Sequence, residues 1–277
     1  MLIKLAKKIF YVLWKYLGLK NIEKFLKIQI LEQLYLKKKF NNEKNLVKSG
    51  FKVFSQQDED GILEEIFKRI HTKKKNFIEI GIETGDECNS TYLLYKGWNG
   101  LWIEGNIDFR EKIDKVFNKY LKKDLKINFC KVNPTNINSE LLNYFVLNEE
   151  VDLLSIDIGT HTYYTLESIS SINPRVIVTE YNAKYGPSLE WKSKYDKNSS
   201  WDGTDNYGAS LKSFEKMLEK KKYKLVACNI SGVNAFFVRD DLIKDQFENN
   251  FSSEYHFNEG RYWLKAAFEK DYKVKIL

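Results

Sequence analysis

The sequence predicts an α/β protein: a seven-strand, mostly parallel sheet with helices on both faces, preceded by a helical extension. Three observations lead there. From Asn76 onward, short apolar runs alternate with helix-length segments in five β-α repeats, the pattern of parallel strands joined by right-handed crossovers. Several of those runs end on a glycine or a carboxylate (Gly81, Glu104, Asp157, Glu180), as strands of an open α/β sheet do where they meet a ligand. Residues 1–50 have a different character, with twelve Lys against three Asp or Glu.

Taken in order, Leu2, Ile3, Leu5, Ala6, Ile9, Phe10, Leu13, Tyr16 and Leu17 recur at helical spacing against Lys4, Lys7, Lys8 and Lys15, and a second helix is expected from Asn21 to Lys39. Residues 1–48 form either a basic amphipathic segment lying on an anionic membrane surface or a hairpin packed on the main domain or across a homodimer. No small-residue cleavage site follows the apolar stretch, so a secretory signal is not expected. Residues 49–277 form the main domain. Within it, Ile62, Leu63, Ile66, Phe67 and Ile70 mark the apolar face of a helix whose first turn is crowded by Asp58, Glu59 and Asp60, acids that suit a helix N-terminus. Strands are expected at 76–81, 100–104, 126–132, 151–157 and 175–180, with helices at 89–97, 107–122, 137–147 and 163–171. An irregular region, 181–206, is long enough to be a lid or binding loop. A helix near 208–220 and strands at 223–229 and 234–239 complete the sheet.

Composition excludes several classes. Of the 277 residues, 43% are hydrophobic, enough for one large core with an appendage. Cys88, Cys130 and Cys228 show no C-x-x-C pairing and read as buried thiols of a reducing cytoplasm. Lysines interrupt every apolar run short of the ~20 residues a membrane span needs, so the protein is expected to be cytoplasmic and soluble, or peripheral to the membrane's inner face. The net charge of +7 resides in the first 50 residues, which balance to +9; the other 33 basic and 35 acidic residues balance to −2. A nucleic-acid partner is therefore not expected, since the main domain lacks the basic excess that phosphates require.

The candidate site gathers at the strand ends. Gly81 and Gly85 fall as E-x-G-x-x-x-G, looser than the dinucleotide fingerprint, and Glu104 follows at about the ~20-residue spacing of a ribose-binding acid. This favours an adenosine ligand without a pyrophosphate and argues against a nicotinamide dehydrogenase. VDLLSID and RVIVTEYN are apolar strands finishing on Asp157 and Glu180. Neighbouring strands lie roughly 4.8 Å apart, so these acids and the Asn182 carbonyl can share a hard divalent metal ion. His161, four residues after Asp157, is then a general base or a further ligand. The bland alternative is two helix caps and a surface histidine.

S-Q-x-x-E-D-G (Ser55 to Gly61), the glycine turn, GWNGLWIEGN, DLLSIDI and RVIVTEYN together resemble the S-adenosylmethionine-dependent methyltransferases of the FkbM-like type found in bacterial surface-polysaccharide clusters. YGASLKSFEKMLEKKKYKLVACNISGVNAFFVR extends the similarity to about Phe54–Leu242. Asp157 with THTYY is also similar to metal-dependent sugar O-methyltransferases, although here the histidine lies one residue further on and Asn182 is offset from Glu180. The resemblance implies a Rossmann-like methyltransferase sheet. It implies S-adenosylmethionine contacts from Gln57, Asp60, Glu79, Gly81 and Gly85, from Glu104 on the ribose and from Asn133 near the adenine. It implies methylation of a sugar hydroxyl on a nucleotide-sugar or glycan precursor, with Asp157 and His161 catalytic and Asp157, Glu180 and Asn182 holding Mg, Mn or Fe. Lys184, Tyr185, Trp191, Trp201 and Tyr207 are the implied substrate contacts, joined by Lys192 and Lys194 for phosphates. The alternative is a noncatalytic methyltransferase-fold partner in polysaccharide assembly.

Overall fold

Residues 7, 10, 12, 16–121, 123–198 and 201–268 are described by a computed structural model. The strands are β1 (Asn76–Ile80), β2 (Asn99–Glu104), β3 (Leu125–Phe129), β4 (Glu149–Ile156), β5 (Ile172–Glu180), β6 (Tyr223–Cys228) and β7 (Asn234–Arg239). They form one sheet in the order β3-β2-β1-β4-β5-β7-β6. The first five are parallel, and β7 runs antiparallel between β5 and β6. Helices of the main domain are α2 (Glu59–Ile70), α3 (Thr91–Tyr95), α4 (Arg110–Leu121), α5 (Ile137–Leu142), α6 (Thr162–Ser168), α7 (Leu211–Lys220), α8 (Asp240–Ile243), α9 (Ser253–His256) and α10 (Lys265–Phe268), and α1 (Leu19–Tyr35) precedes them.

Central strands are buried on both faces, which is why their sequences read as continuous apolar runs. Alternate residues supply two cores. Ile78, Ile80, Leu154, Ile156 and Ile177 meet Leu141, Leu166, Phe214 and Leu218 on one side. Phe77, Trp102, Leu153, Val176 and Phe236 meet Ile62, Ile66, Phe67, Ile113 and Phe117 on the other. At the amino-terminal edge of the sheet, buried Asp152 accepts the Lys73, Lys74 and Lys75 amides and pairs with Arg175 at 2.6 Å.

The predicted helices at 89–97, 137–147 and 163–171 are shorter than expected. Helix α3 starts only after Asn89 and Ser90 have given their amides to the Glu79 carboxylate, and Gly97 at φ +80° ends that turn. Strand β3 stops at Phe129 and β5 begins earlier, at Ile172. The first expected amphipathic segment rests largely on residues outside the described ones. Helix α1 and the turns after it lie against the main body: Leu31, Phe40 and Val47 pack with Ile230, Leu264 and Phe268. Lys39 donates to the Tyr255 and Phe257 carbonyls and to Asn258 Oδ1.

The acids at the start of α2 are used internally. Asp60 accepts the amides of Val53, Phe54 and Ser55, and Glu59 accepts the Gln57 amide and the side-chain amides of Asn229 and Asn234. Asp58 is different. Both its carboxyl oxygens are buried without a hydrogen bond, with Asn229 and the Ile230 amide nearby but outside bonding geometry. Burial, and then the Glu59 charge, hold its carboxyl well above the usual range. The folded state therefore keeps a proton that the unfolded chain releases above about pH 3.9, so this group's contribution to stability falls as pH rises from there towards the raised folded value. Asp58→Asn should raise the melting temperature at pH 7.5, with a smaller gain at pH 4.5. Thermal melts in which the gain is the same at both pH values would show that Asp58 ionises in the folded state as it does in the unfolded chain.

Candidate functional site

In this sheet the order of strands reverses between the parallel β1 and β4, and the crevice outside their carboxyl ends is where open α/β sheets bind ligands. Two hydrogen bonds set that end: the Gly81 amide donates to the Ile103 carbonyl and the Asp157 amide to the Ile80 carbonyl, at 2.9 and 3.0 Å. Gly81 has φ +84°, and a Cβ on it would fall 1.8 Å from the Asp157 carbonyl oxygen. The glycine is required by the approach of β4, where the sequence suggested the approach of a ligand.

A cleft of roughly 780 Å³ opens at this point. Its walls include Glu79, Glu83, Asp86, Glu87, Glu104 and Asp157, while Lys131 is the one Lys or Arg among its lining residues. Glu104 ends β2 and is buried. Its two carboxylate oxygens accept the Asn106 and Glu83 amides at 2.8 and 2.7 Å, which ties the turn after Gly81 to β2 and leaves each oxygen a further lone pair for the cleft. Glu79 accepts the Asn89 and Ser90 amides, the Ser90 hydroxyl and the Ser155 hydroxyl. Burial raises its carboxyl above the usual range while those donors oppose the rise. Its visible role is to hold the 86–90 wall.

Asp157 opens into the cleft from the end of β4, and Glu180, at the end of the adjacent β5, is half-buried behind it. The two carboxyls are near enough for each to feel the other's ionisation. Enclosure by protein raises both, and the Asp157 charge pushes Glu180 well up further. Neither carboxyl pairs with a Lys or Arg among the described residues. Two such acids titrate as a linked pair, the charge on one disfavouring ionisation of the other. The phenols of Tyr207 and Tyr262 bond each other at 3.1 Å. Both are raised, by burial first, and both feel the Glu180 and Asp157 charges, so they stand beside the dyad. His161 lines the cleft on the turn after β4, its ring edge-on to Tyr195 at 5.8 Å.

Several expected contacts lie elsewhere. Gln57 donates to the Tyr262 carbonyl and does not line the cleft, whereas its neighbour Gln56 does. Asp60 belongs to the 53–55 turn. A Cβ on Gly85 would strike Phe117 and Trp102, so that glycine serves packing behind the wall. Asn133 lines a separate, shallower depression with Lys194 and Lys197, and Cys130, Lys131 and Val132 take its expected place. Asn182 donates to the Asp205 and Tyr207 carbonyls and accepts the Lys184 amide, so it shapes the loop and its side chain is turned away from the dyad. Among the described residues no three His, Cys, Asp or Glu side chains converge as a metal cluster. Lys184 pairs with Asp205 at 3.4 Å, and Lys192 lies over the Tyr163 ring. Tyr185 stacks on Trp191 at 3.9 Å, and Trp201 is exposed and bonded to the Thr204 carbonyl. Of the loop residues singled out, Tyr207 is the one whose phenol is raised in part by the Glu180 and Asp157 charges. Its partner Tyr262 was missed, because nothing in NEGRYW signals a fold back across the sheet end.

The sheet order, with its reversal between β1 and β4 and its antiparallel β7, defines a seven-strand Rossmann-like α/β fold. No protein-family profile and no curated protein matches the chain. Among solved structures it is similar to the N-terminal domain of EvdMO1 with SAH bound (13% identity, 66% of this chain and 79% of that chain, TM-score 0.44). It is similar also to a SAM dependent methyltransferase from Aquifex aeolicus (12%, 63% and 87%, TM-score 0.38). A third is an S-adenosylmethionine-dependent methyltransferase from Clostridium acetobutylicum ATCC 824 (12%, 68% and 92%, TM-score 0.40).

The overlap at Gly81 is testable against Gly159, which also has positive φ but nothing within 4 Å of an added Cβ. Gly159→Ala should cost about 1–2 kcal/mol in urea unfolding, and Gly81→Ala roughly 2–5 kcal/mol, because overlap adds to backbone strain. Equal costs would mean that β4 yields to the added methyl and does not fix the site.

Proposed function

We propose that this chain is an S-adenosylmethionine-dependent O-methyltransferase acting on a sugar hydroxyl of a nucleotide-sugar or glycan precursor. The observation that carries the reading is the charge of the cleft. Of the six carboxylates on its walls, Asp86 and Glu87 are paired with Lys112 and Lys265; Glu79, Glu83, Glu104 and Asp157 remain against Lys131, a lining that suits a net cation better than a pyrophosphate, which would need backbone or basic donors. S-adenosylmethionine, with a sulfonium and an ammonium against one carboxylate, is such a cation and supplies an electrophilic methyl carbon when bound. Glu104 sits at the end of β2 with lone pairs open to a ribose diol.

Methylating oxygen leaves a proton to remove, and the dyad is placed to take it. Asp157 faces the cleft, and its raised carboxyl is a stronger base than an ordinary aspartate. Glu180 behind it is its linked partner. Tyr207 and Tyr262 offer hydroxyls and ring faces at the same spot, a surface suited to a polyol. His161, in the same wall, is the second candidate base. The divalent-ion part of the reading rests on Asp157 and Glu180 alone, with water or the acceptor oxygen needed to fill the remaining positions, and no step above depends on it.

Calorimetric titration with S-adenosylmethionine should give saturable binding that Glu104→Ala weakens by about 1.5–3 kcal/mol, the range for hydrogen bonds to a charged group. In a methyl-transfer screen of nucleotide-sugars, Asp157→Asn should keep cosubstrate binding and lose on the order of 10²–10⁴ in rate. If His161→Gln shows that loss and Asp157→Asn does not, the histidine is the base. Turnover abolished by a chelator and restored by Mg or Mn would assign a metal to the dyad. Absence of S-adenosylmethionine binding at millimolar concentration would end the methyltransferase reading, and binding without turnover of any sugar would leave the noncatalytic alternative.

A further inference from the structure

Helix α1 presents the wrong face to solvent for a helix packed on a globular body. Ile22, Phe25, Leu26 and Ile30 are 52%, 60%, 53% and 42% exposed, and their spacing of three and four places them on one side. Leu36 after the helix is 70% exposed, and Tyr16 and Leu17, before the left-handed Gly18 that precedes it, are exposed as well, at 85% and 65%. The opposite side is the one held: Leu31 is buried with Phe40, Val47, Ile230, Leu264 and Phe268, and Leu34 and Tyr35 pack against the same cluster. Lys39 fastens the following turn to the Tyr255 and Phe257 carbonyls. With that side fixed, the apolar row cannot roll inward.

We propose that this row docks the protein on an anionic lipid bilayer, with α1 lying in the plane of the interface. Two features select this occupant over a second copy of the chain. Residues 1–50 carry +9, and exposed Lys20, Lys37 and Lys38 stand at the two ends of the row, so face-to-face pairing would oppose two strongly positive segments. Gln29 and Gln33 fall on the same side as the apolar row, where a helix–helix seam would bury them but a headgroup layer would hydrate them. An anionic interface accepts both components, apolar side chains below the headgroups and lysines among them. This face differs from the one that residues 2–17 suggested by their spacing, and the proposal stands whether or not the cleft methylates a sugar.

The test is cosedimentation of the full chain with vesicles. Wild type should bind phosphatidylcholine vesicles containing about 30% phosphatidylglycerol at least roughly tenfold more tightly than neutral ones, and binding should weaken as salt rises from about 0.05 to 0.5 M. Phe25→Ser combined with Leu26→Ser, and separately Lys37→Glu combined with Lys38→Glu, should each reduce binding by about tenfold or more. Because these side chains are exposed, their thermal melts should match wild type; the salt and lipid dependence of wild type does not rely on any variant. No binding to anionic vesicles at low salt, equal binding to neutral ones, or a Phe25→Ser/Leu26→Ser protein that binds as well as wild type would overturn the proposal. So would a concentration-dependent dimer in sedimentation velocity that the same double variant abolishes, since the row would then be a self-interface.

Discussion

The geometry of the site depends on how closely β4 can pass the end of β1. Hydrogen bonds of 2.9 and 3.0 Å hold Gly81 to β2 and Asp157 to β1, and no side chain fits between Gly81 and the Asp157 carbonyl. That closeness carries Asp157, the residue just after β4, into the crevice where the order of strands reverses. The parallel pairing of β4 with β5 then sets Glu180 beside it. Two acids become a linked pair as a consequence of strand register, with no local sequence rule involved.

Carboxylates in this protein divide according to what they accept. Glu59, Glu79 and Asp152 are held by backbone and side-chain donors and act as struts, and Asp60 gathers three amides on one oxygen while its other oxygen is buried without a partner. Glu104 does both jobs, tying down the 83 and 106 amides while keeping oxygen surface on the cleft. Asp157 and Glu180 have each other and, among the described residues, no Lys or Arg partner. A buried acid with enough hydrogen bonds is a structural element; one whose main neighbour is another acid is a base in waiting.

The C-terminal segment links distant parts of the molecule. Tyr262 meets Tyr207 beside the dyad, the Tyr262 carbonyl accepts from Gln57, and Leu264 lies under the cluster that holds α1. Through residues 257–264 the N-terminal extension, the start of α2 and the Tyr207–Tyr262 pair share one packed boundary. The basic extension is therefore mechanically joined to the body that carries the cleft.

The order of strands and helices was legible in the sequence, because strands buried on both faces must be apolar throughout and the helices between them must be amphipathic. So were the residues that end strands, Gly81, Glu104, Asp157 and Glu180, since a carboxylate or a glycine closing an apolar run marks the point where the strand leaves the core. Contacts assigned through spacing or resemblance fared differently: Gln57, Asp60, Gly85, Asn133, Asn182 and most of the 181–206 aromatics lie behind or beside the cleft. Their positions are decided by which backbone amides and rings reach them first, and those partners come from distant segments, such as Tyr262 for Gln57 and Phe117 for Gly85. The sequence determined where each strand would deliver a side chain; only the tertiary structure decided which of those side chains were already satisfied by the protein and which remained open to a ligand.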